Sequence, residues 1–163
     1  MRKEIVVAMA LALSASVATV SMAQSKYGSA AGWDIFVKDS MGPGCLIKKA
    51  NADGTQIQMG IDATTGPRGY IALYTKVDAN VTSGEKLAVL FDVDGQQFSG
   101  EATGQVMDGY RGAFVWVNNP DFIYDLAKKK VLTITPKGGN PIAVNLAGTD
   151  AAFDALRACQ AAQ

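Results

Sequence analysis

Apolar residues recur at every second position through most of this chain, and at helical spacing in only two places. Trp33, Ile35 and Val37 fall on one face of a first strand. Cys45 to Lys49 and Thr55 to Asp62 read as two more, joined across the turn Asn51-Ala52-Asp53-Gly54, with Ile57, Met59 and Ile61 pointing inward. Tyr70 to Tyr74 follows the loop 63–69. Leu87 to Phe91 and Gln97 to Ala102 flank Asp94-Gly95, a two-residue hairpin signal. Gly112 to Val117, Val131 to Thr135 and Pro141 to Leu146 complete the set, the last two forming a hairpin around the turn-rich segment 136–140.

The first helical pattern starts after Asn119, which can cap, and Pro120, which can open a short helix through Lys128 with Phe122, Ile123 and Leu126 on its buried side. In the second, Thr149 is expected to cap a C-terminal helix with Asp150 in its first turn and Arg157 in its last, while Ala152, Phe153, Leu156 and Cys159 share a face. About eight short strands spaced by turns predict a mainly β protein. The expected fold is an antiparallel β-sandwich or barrel-like sandwich, with a short helix near 120–128 and a C-terminal helix near 150–161. Gln24 to Gly32 reads as a linker.

The N-terminus changes the picture. Arg2 and Lys3 precede an apolar run from Ile5 to Val20, and Ser21-Met22-Ala23 supplies small residues for cleavage, the layout of a secretory signal peptide over 1–23. That run is shorter than the roughly 20 residues of a spanning helix, so no transmembrane segment is expected after cleavage. Residues 24–163 are then one β-rich domain, exported to the periplasm or beyond. Removing Arg2, Lys3 and Glu4 from 15 basic and 15 acidic residues leaves 13 against 14. A net charge near zero gives no long-range pull on nucleic acid or anionic lipid, and Lys128-Lys129-Lys130 is too short for a binding patch and reads as a helix end. An exported chain with two cysteines is expected to join them, so Cys45–Cys159 is the default disulfide.

The chain has no histidine. Ser-His-Asp and Cys-His catalysis and imidazole zinc sites are thereby excluded, and no phosphate-binding or nucleophile-elbow motif occurs. No cofactor, metal site or catalytic residue is expected. Asp92-Val93-Asp94-Gly95 with Glu101 resembles part of a calcium loop, but it lacks a ligand before the glycine and its flanks read as strands, so a hairpin turn is the preferred reading. The same three carboxylates offer a weak hydrolase reading. Tyr70, Tyr74, Tyr110, Trp116 and Tyr124 stand near Arg68 and Arg111, residue types common on recognition surfaces. Arg68, Tyr70, Tyr110 and Arg111 are the candidate binding residues, with Tyr110-Arg111-Gly112 placed on a loop and Trp33 and Trp116 assigned to the core.

The start Gly32-Trp33, Cys45 ahead of alternating strands, and the ending Asn145-Leu146-Ala147-Gly148-Thr149 with its Ala-rich helix to Cys159 resemble the invasion-associated locus B family of exported bacterial proteins. The resemblance implies a periplasmic or surface-associated β-sandwich without known catalysis, linked in some members to host-cell entry. The expected function is non-enzymatic binding of a protein or cell-envelope component. The alternatives are a small-molecule or glycan-binding module and, third, a carboxylate-dependent hydrolase.

Overall fold

A computed structural model gives the fold for residues 24–76, 79–107 and 109–163. The expected signal peptide, residues 1–23, lies outside the described residues. Ten antiparallel strands are β1 (Gln24–Ala30), β2 (Trp33–Lys38), β3 (Gly44–Ala50), β4 (Gln56–Asp62), β5 (Arg68–Thr75), β6 (Lys86–Val93), β7 (Gln96–Met107), β8 (Tyr110–Val117), β9 (Val131–Pro136) and β10 (Ile142–Asn145). They form one sheet in the order β1-β2-β3-β4-β5-β8-β7-β6-β9-β10. The sheet is open, with β1 and β10 at its edges. Two helices, α1 (Asp121–Asp125), extended by a 3-10 turn to Lys128, and α2 (Thr149–Ala161), complete the fold.

Alternation along the strands puts one set of side chains on a common inner face. Trp33 and Ile35 of β2, Ile57 and Met59 of β4, Ile71 of β5, Phe91 and Val93 of β6 and Leu132 and Ile134 of β9 belong to one buried cluster. Strands far apart in the sheet order share that cluster, so the sheet curls and packs its inner face on itself, which is how a sandwich buries a single sheet. The expected hairpins at 51–54 and 94–95 are present, the second with positive φ at both Asp94 (49°) and Gly95 (90°), the geometry whose twist suits a two-residue hairpin.

Four local expectations are corrected. Residues 24–30 are not a linker but the edge strand β1, paired with β2 across Ala31 and Gly32, both at positive φ (47° and 81°). β1 escapes pattern reading because most of its residues are exposed, leaving no buried face to alternate. Tyr110 and Arg111 are not on a loop: Gly109 turns the chain at φ 72°, so the two residues already pair with Met107 and Val106. Thr149 does not cap α2; Gly148 occupies that position, and the buried Thr149 hydroxyl donates to the Leu146 carbonyl at 2.6 Å. Gly148 stands at φ 79°, and a Cβ there would meet the Ala31 carbonyl oxygen at 2.7 Å, so side chains are doubly disfavoured. Arg157 is not in the last turn, because the helix runs on to Ala161. It lies instead over the Tyr124 ring at 4.2 Å.

α2 packs on β1, β2 and β3. Its buried face is the expected one, with Ala152, Phe153, Leu156 and Cys159 all at 0% exposure. Burying a Leu or Phe side chain stabilises by about 1.5–3 kcal/mol, so this face holds a helix that is marginal in isolation. Polar contacts fix its position. The Trp33 indole N–H donates to the Ala147 carbonyl at 3.2 Å, and the Gln160 side chain accepts from the Cys45 amide at 2.9 Å. Cys45 and Cys159 are joined by a disulfide across 114 residues, with Cα atoms 6.1 Å apart. For α1, the Asn119 side chain accepts from the Asp121 amide at 3.0 Å, the capping role expected of it.

The bridge sets a measurable expectation. Non-reducing mass spectrometry of the protein purified without reductant should find the Cys45 and Cys159 peptides joined, and the double variant C45S/C159S should lose about 2–5 kcal/mol in denaturant unfolding. A loss under 1 kcal/mol would show that helix packing alone holds α2.

Candidate recognition face

The outer face of the sheet differs between its two halves. Over β6, β7 and β9 the outward positions are mostly polar, carrying Lys86, Asp92, Gln97, Ser99, Glu101, Thr103, Thr133 and Thr135, with Ala88 and the exposed Leu90 and Val131 as isolated apolar side chains among them. Over β2–β5 and β8 they carry a second apolar cluster. Met41, Leu46, Tyr70, Ala72 and Tyr74 are buried there, with Phe36, Met107, Tyr110, Phe114 and Trp116 packed against them. Every residue of β4 is therefore buried, including Gln56, Gln58 and Asp62.

Register builds the aromatic group. Tyr70 stands opposite Trp116, and Ala72 opposite Phe114. Ring centroids lie 5.2 Å apart for Tyr70 and Trp116 and 5.4 Å apart for Phe114 and Trp116, inside the range of favourable aromatic pairs. Tyr74 stands opposite Gly112. A Cβ at Gly112 would collide with the Leu73 carbonyl oxygen and sit 2.8 Å from the Tyr74 ring, so only glycine leaves that ring room. The Tyr74 hydroxyl donates to Gln105 at 2.6 Å and lies 3.0 Å from the Tyr70 hydroxyl. One proton per hydroxyl then makes Tyr70 the donor of that pair, and its 3.4 Å approach to the Gln58 carbonyl oxygen the weak link. Burial pushes both phenols well above their ordinary range, so they stay neutral at any physiological pH.

Cations lie on these rings. The Arg68 guanidinium sits 3.9 Å over the Trp116 ring, while its Nε donates to Asp62 at 2.6 Å. Asp62 also accepts from the Thr64 amide (3.1 Å) and hydroxyl (2.7 Å). Burial pushes the Asp62 carboxyl up, but the hydrogen bonds from Thr64 and Arg68 outweigh it and hold the group below its ordinary 3.8. Lys48 stands 4.4 Å over Phe36 and Lys38 5.5 Å over Tyr70. Burial lowers the Lys38 pKa, against the opposing charge of Asp62. At the far end Lys76 lies 5.4 Å over Tyr110. The result is a face of half-buried rings with ammonium and guanidinium groups laid across them, a chemistry suited to binding through apolar contact and positive charge together.

Of the candidate residues, Arg68 and Tyr70 are brought together on this face and Tyr110 shares it at the other end. Arg111, the next residue of β8, points the opposite way and is exposed. Trp116 is not in the main core; it is half-buried on the outer face under Arg68, because its neighbour Val115 takes the inward position. Sequence reasoning missed Phe36, Lys38, Lys48, Asp62 and Phe114. The signal was present in Phe114-x-Trp116 and Arg68-x-Tyr70-x-x-x-Tyr74, apolar or ring-bearing positions on the face that alternation assigns to solvent.

The acidic constellation is a turn. Asp92 accepts from the Gly95 amide at 2.8 Å, and Asp94 accepts from the Lys130 and Val131 amides at 3.3 Å, tying the hairpin to the start of β9. Glu101 is exposed and pairs with Lys86 at 3.3 Å. No metal-holding cluster of three such residues occurs among the described residues, and no helix among them is long and apolar enough to cross a membrane.

No protein-family model and no curated protein sequence matches this chain. Among solved structures, the crystal structure of invasion associated protein B from Bartonella henselae matches at 15% identity with a TM-score of 0.54, over 85% of this chain and 98% of the other. In fold, the chain is similar to that protein. At this identity the likeness concerns architecture, and it agrees with the curled antiparallel sheet and its C-terminal helix.

Asp62 and Arg68 give a pH-dependent test. A carboxyl held low in the folded state contributes stability that is present above its ordinary pKa of 3.8 and is lost as pH falls through the lowered value. Arg68→Ala should therefore cost about 1–3 kcal/mol near pH 7, by leaving Asp62 buried with fewer partners. The difference from wild type should be smaller near pH 2, below the ordinary carboxylate range, than near pH 7, because protonation of Asp62 removes the charge that Arg68 compensates. Urea unfolding at the two pH values measures it, and an equal cost at both would assign the effect to the Arg68–Trp116 contact instead.

Proposed function

We propose that this chain is an exported, non-enzymatic binding protein that engages a protein or cell-envelope component through the outer face of β2–β5 and β8. The carrying observation is the asymmetry of the sheet: one half of its outer surface is mostly polar with isolated Leu90 and Val131, while the other presents the half-buried rings of Phe36, Phe114 and Trp116 around the buried Tyr70, with Lys38, Lys48 and Arg68 laid over the rings. Clustered aromatic residues and cations are what interface centres are enriched in. The cations favour a partner with negative charge. Export is supported by the signal-like start of the sequence and by the disulfide, which persists in oxidising compartments. Absence of catalysis is supported by the lack of histidine and by the turn-forming roles of Asp92 and Asp94. The solved neighbour is named as invasion associated, which makes host-surface components worth including among the partners tried.

Affinity capture from envelope extract with the mature protein should recover a stoichiometric partner. A double variant carrying Arg68→Glu and Trp116→Ala should lose it while keeping the disulfide and a cooperative melt. Recovery of no such partner, or equal recovery by the variant, would refute this face as the binding surface.

A further inference from the structure

We propose a second site, on the inner face: an apolar cavity that accepts the hydrocarbon chain of a fatty carboxylate, with the head group at Lys137. The cavity has a volume of about 480 Å³ and lies between β5 and β8 on one side and β6 and β9 on the other. That size falls within the ~300–1,000 Å³ of small-molecule sites. Its wall is hydrocarbon, chiefly Leu73, Leu87, Val89, Phe91, Val115 and Ile134.

Two features of the sequence create the space. Ala102 of β7 and Ala113 of β8 occupy inward positions where neighbouring strands carry Val89, Phe91 and Ile71, so the curled sheet is not filled from this side. The segment from Ala79 to Val81 then lines the cavity instead of crossing it, with the carbonyl oxygen of the next residue, Thr82, placed where a Cβ on Gly104 would stand. Tyr74 borders the cavity, but its hydroxyl is bonded to Gln105 on the outer face and adds no donor here. An apolar wall of this extent offers water few partners and favours an apolar guest.

The charged lining residues are exposed, and the half-buried Thr55 and Thr75 add only hydroxyls to the wall. Lys137, at the tip of the β9–β10 hairpin, and Arg111, at the start of β8, both line the cavity and are exposed, which places them at its mouth. No Asp or Glu lines it among the described residues. A hydrocarbon wall beneath the Lys137 ammonium matches an amphiphile with one chain and one negative charge. A neutral apolar molecule would leave Lys137 unused, and a sugar would leave the wall without matching polar contacts. This site uses the opposite side of the β5–β8 pair from the recognition face and does not depend on it.

Calorimetric titration of the oxidised mature protein with dodecanoate, below its micellar concentration, tests the proposal. Expected are one site per chain and an affinity that falls roughly tenfold for each two methylenes removed. Ala113→Phe, which fills the cavity, should abolish binding; should it fail to fold, Val81→Trp at the mouth serves the same purpose. Lys137→Glu should weaken dodecanoate at least threefold and leave dodecanol unchanged. Affinity independent of chain length, or undiminished by the filling variant, would overturn the cavity as the site. Equal effects of Lys137→Glu on dodecanoate and dodecanol would overturn the head-group assignment. Sedimentation with anionic phospholipid vesicles in the absence of dodecanoate binding would point to a lipid surface and overturn the proposal.

Discussion

The Cys45–Cys159 bridge and the helix it holds are what the curled sheet depends on at its N-terminal end. An open antiparallel sheet has one face to bury and two edges to manage. Here the inner face closes on itself, but Trp33, Ile35 and Cys45 on β2 and β3 need a cover that no strand supplies. α2 supplies it with Phe153 and Leu156, and the bridge keeps the helix from being released as a short amphipathic segment. Around it, the Trp33–Ala147 and Cys45–Gln160 hydrogen bonds and the glycine at 148 fix how closely the helix start approaches the β1–β2 turn.

α2 covers the inner face at its N-terminal end only, and the outer face, the candidate recognition surface, is divided unevenly. Over β6, β7 and β9 it is mostly polar, with Leu90 and Val131 as isolated apolar positions. Over β2–β5 and β8 the strands are apolar on both sides, as when a parallel sheet is covered on both faces, yet no helix or strand among the described residues covers this one. Its rings are covered by its own long cations instead, whose aliphatic stems and charged heads shield aromatic surface while remaining available to a partner. Asp62 matters to this arrangement more than to charge balance. By gripping Arg68 through Nε it fixes the plane of the guanidinium over Trp116.

The strand β8 separates the two candidate sites. Tyr110, Phe114 and Trp116 face outward, whereas Arg111, Ala113 and Val115 face inward, so adjacent residues of one segment belong to different surfaces. Gly112 between them permits the close β5–β8 contact that keeps Tyr74 flat on the outer side. A one-residue slip of this strand would exchange the two faces, and the buried Val115 and the Tyr70–Trp116 pairing oppose it together.

The sequence by itself determined the elements that carry period. Nine of the strands, both helices, the hairpin at Asp94-Gly95 and the Cys45–Cys159 pairing follow from alternation, turn residues and the parity of two cysteines behind a signal-like start. Tertiary structure decided the rest. β1 is a strand only because β2 offers it an edge, and Tyr110 and Arg111 are paired only because β7 extends far enough to meet them. The division of Arg68, Tyr70 and Tyr110 from Arg111 is likewise set by register, which places each residue on a face according to its partners in distant strands. The aromatic pairs, the Asp62–Arg68 contact and the cavity depend on which strands lie side by side once the sheet has curled. Local pattern says that a residue alternates; only the packed sheet says what stands across from it.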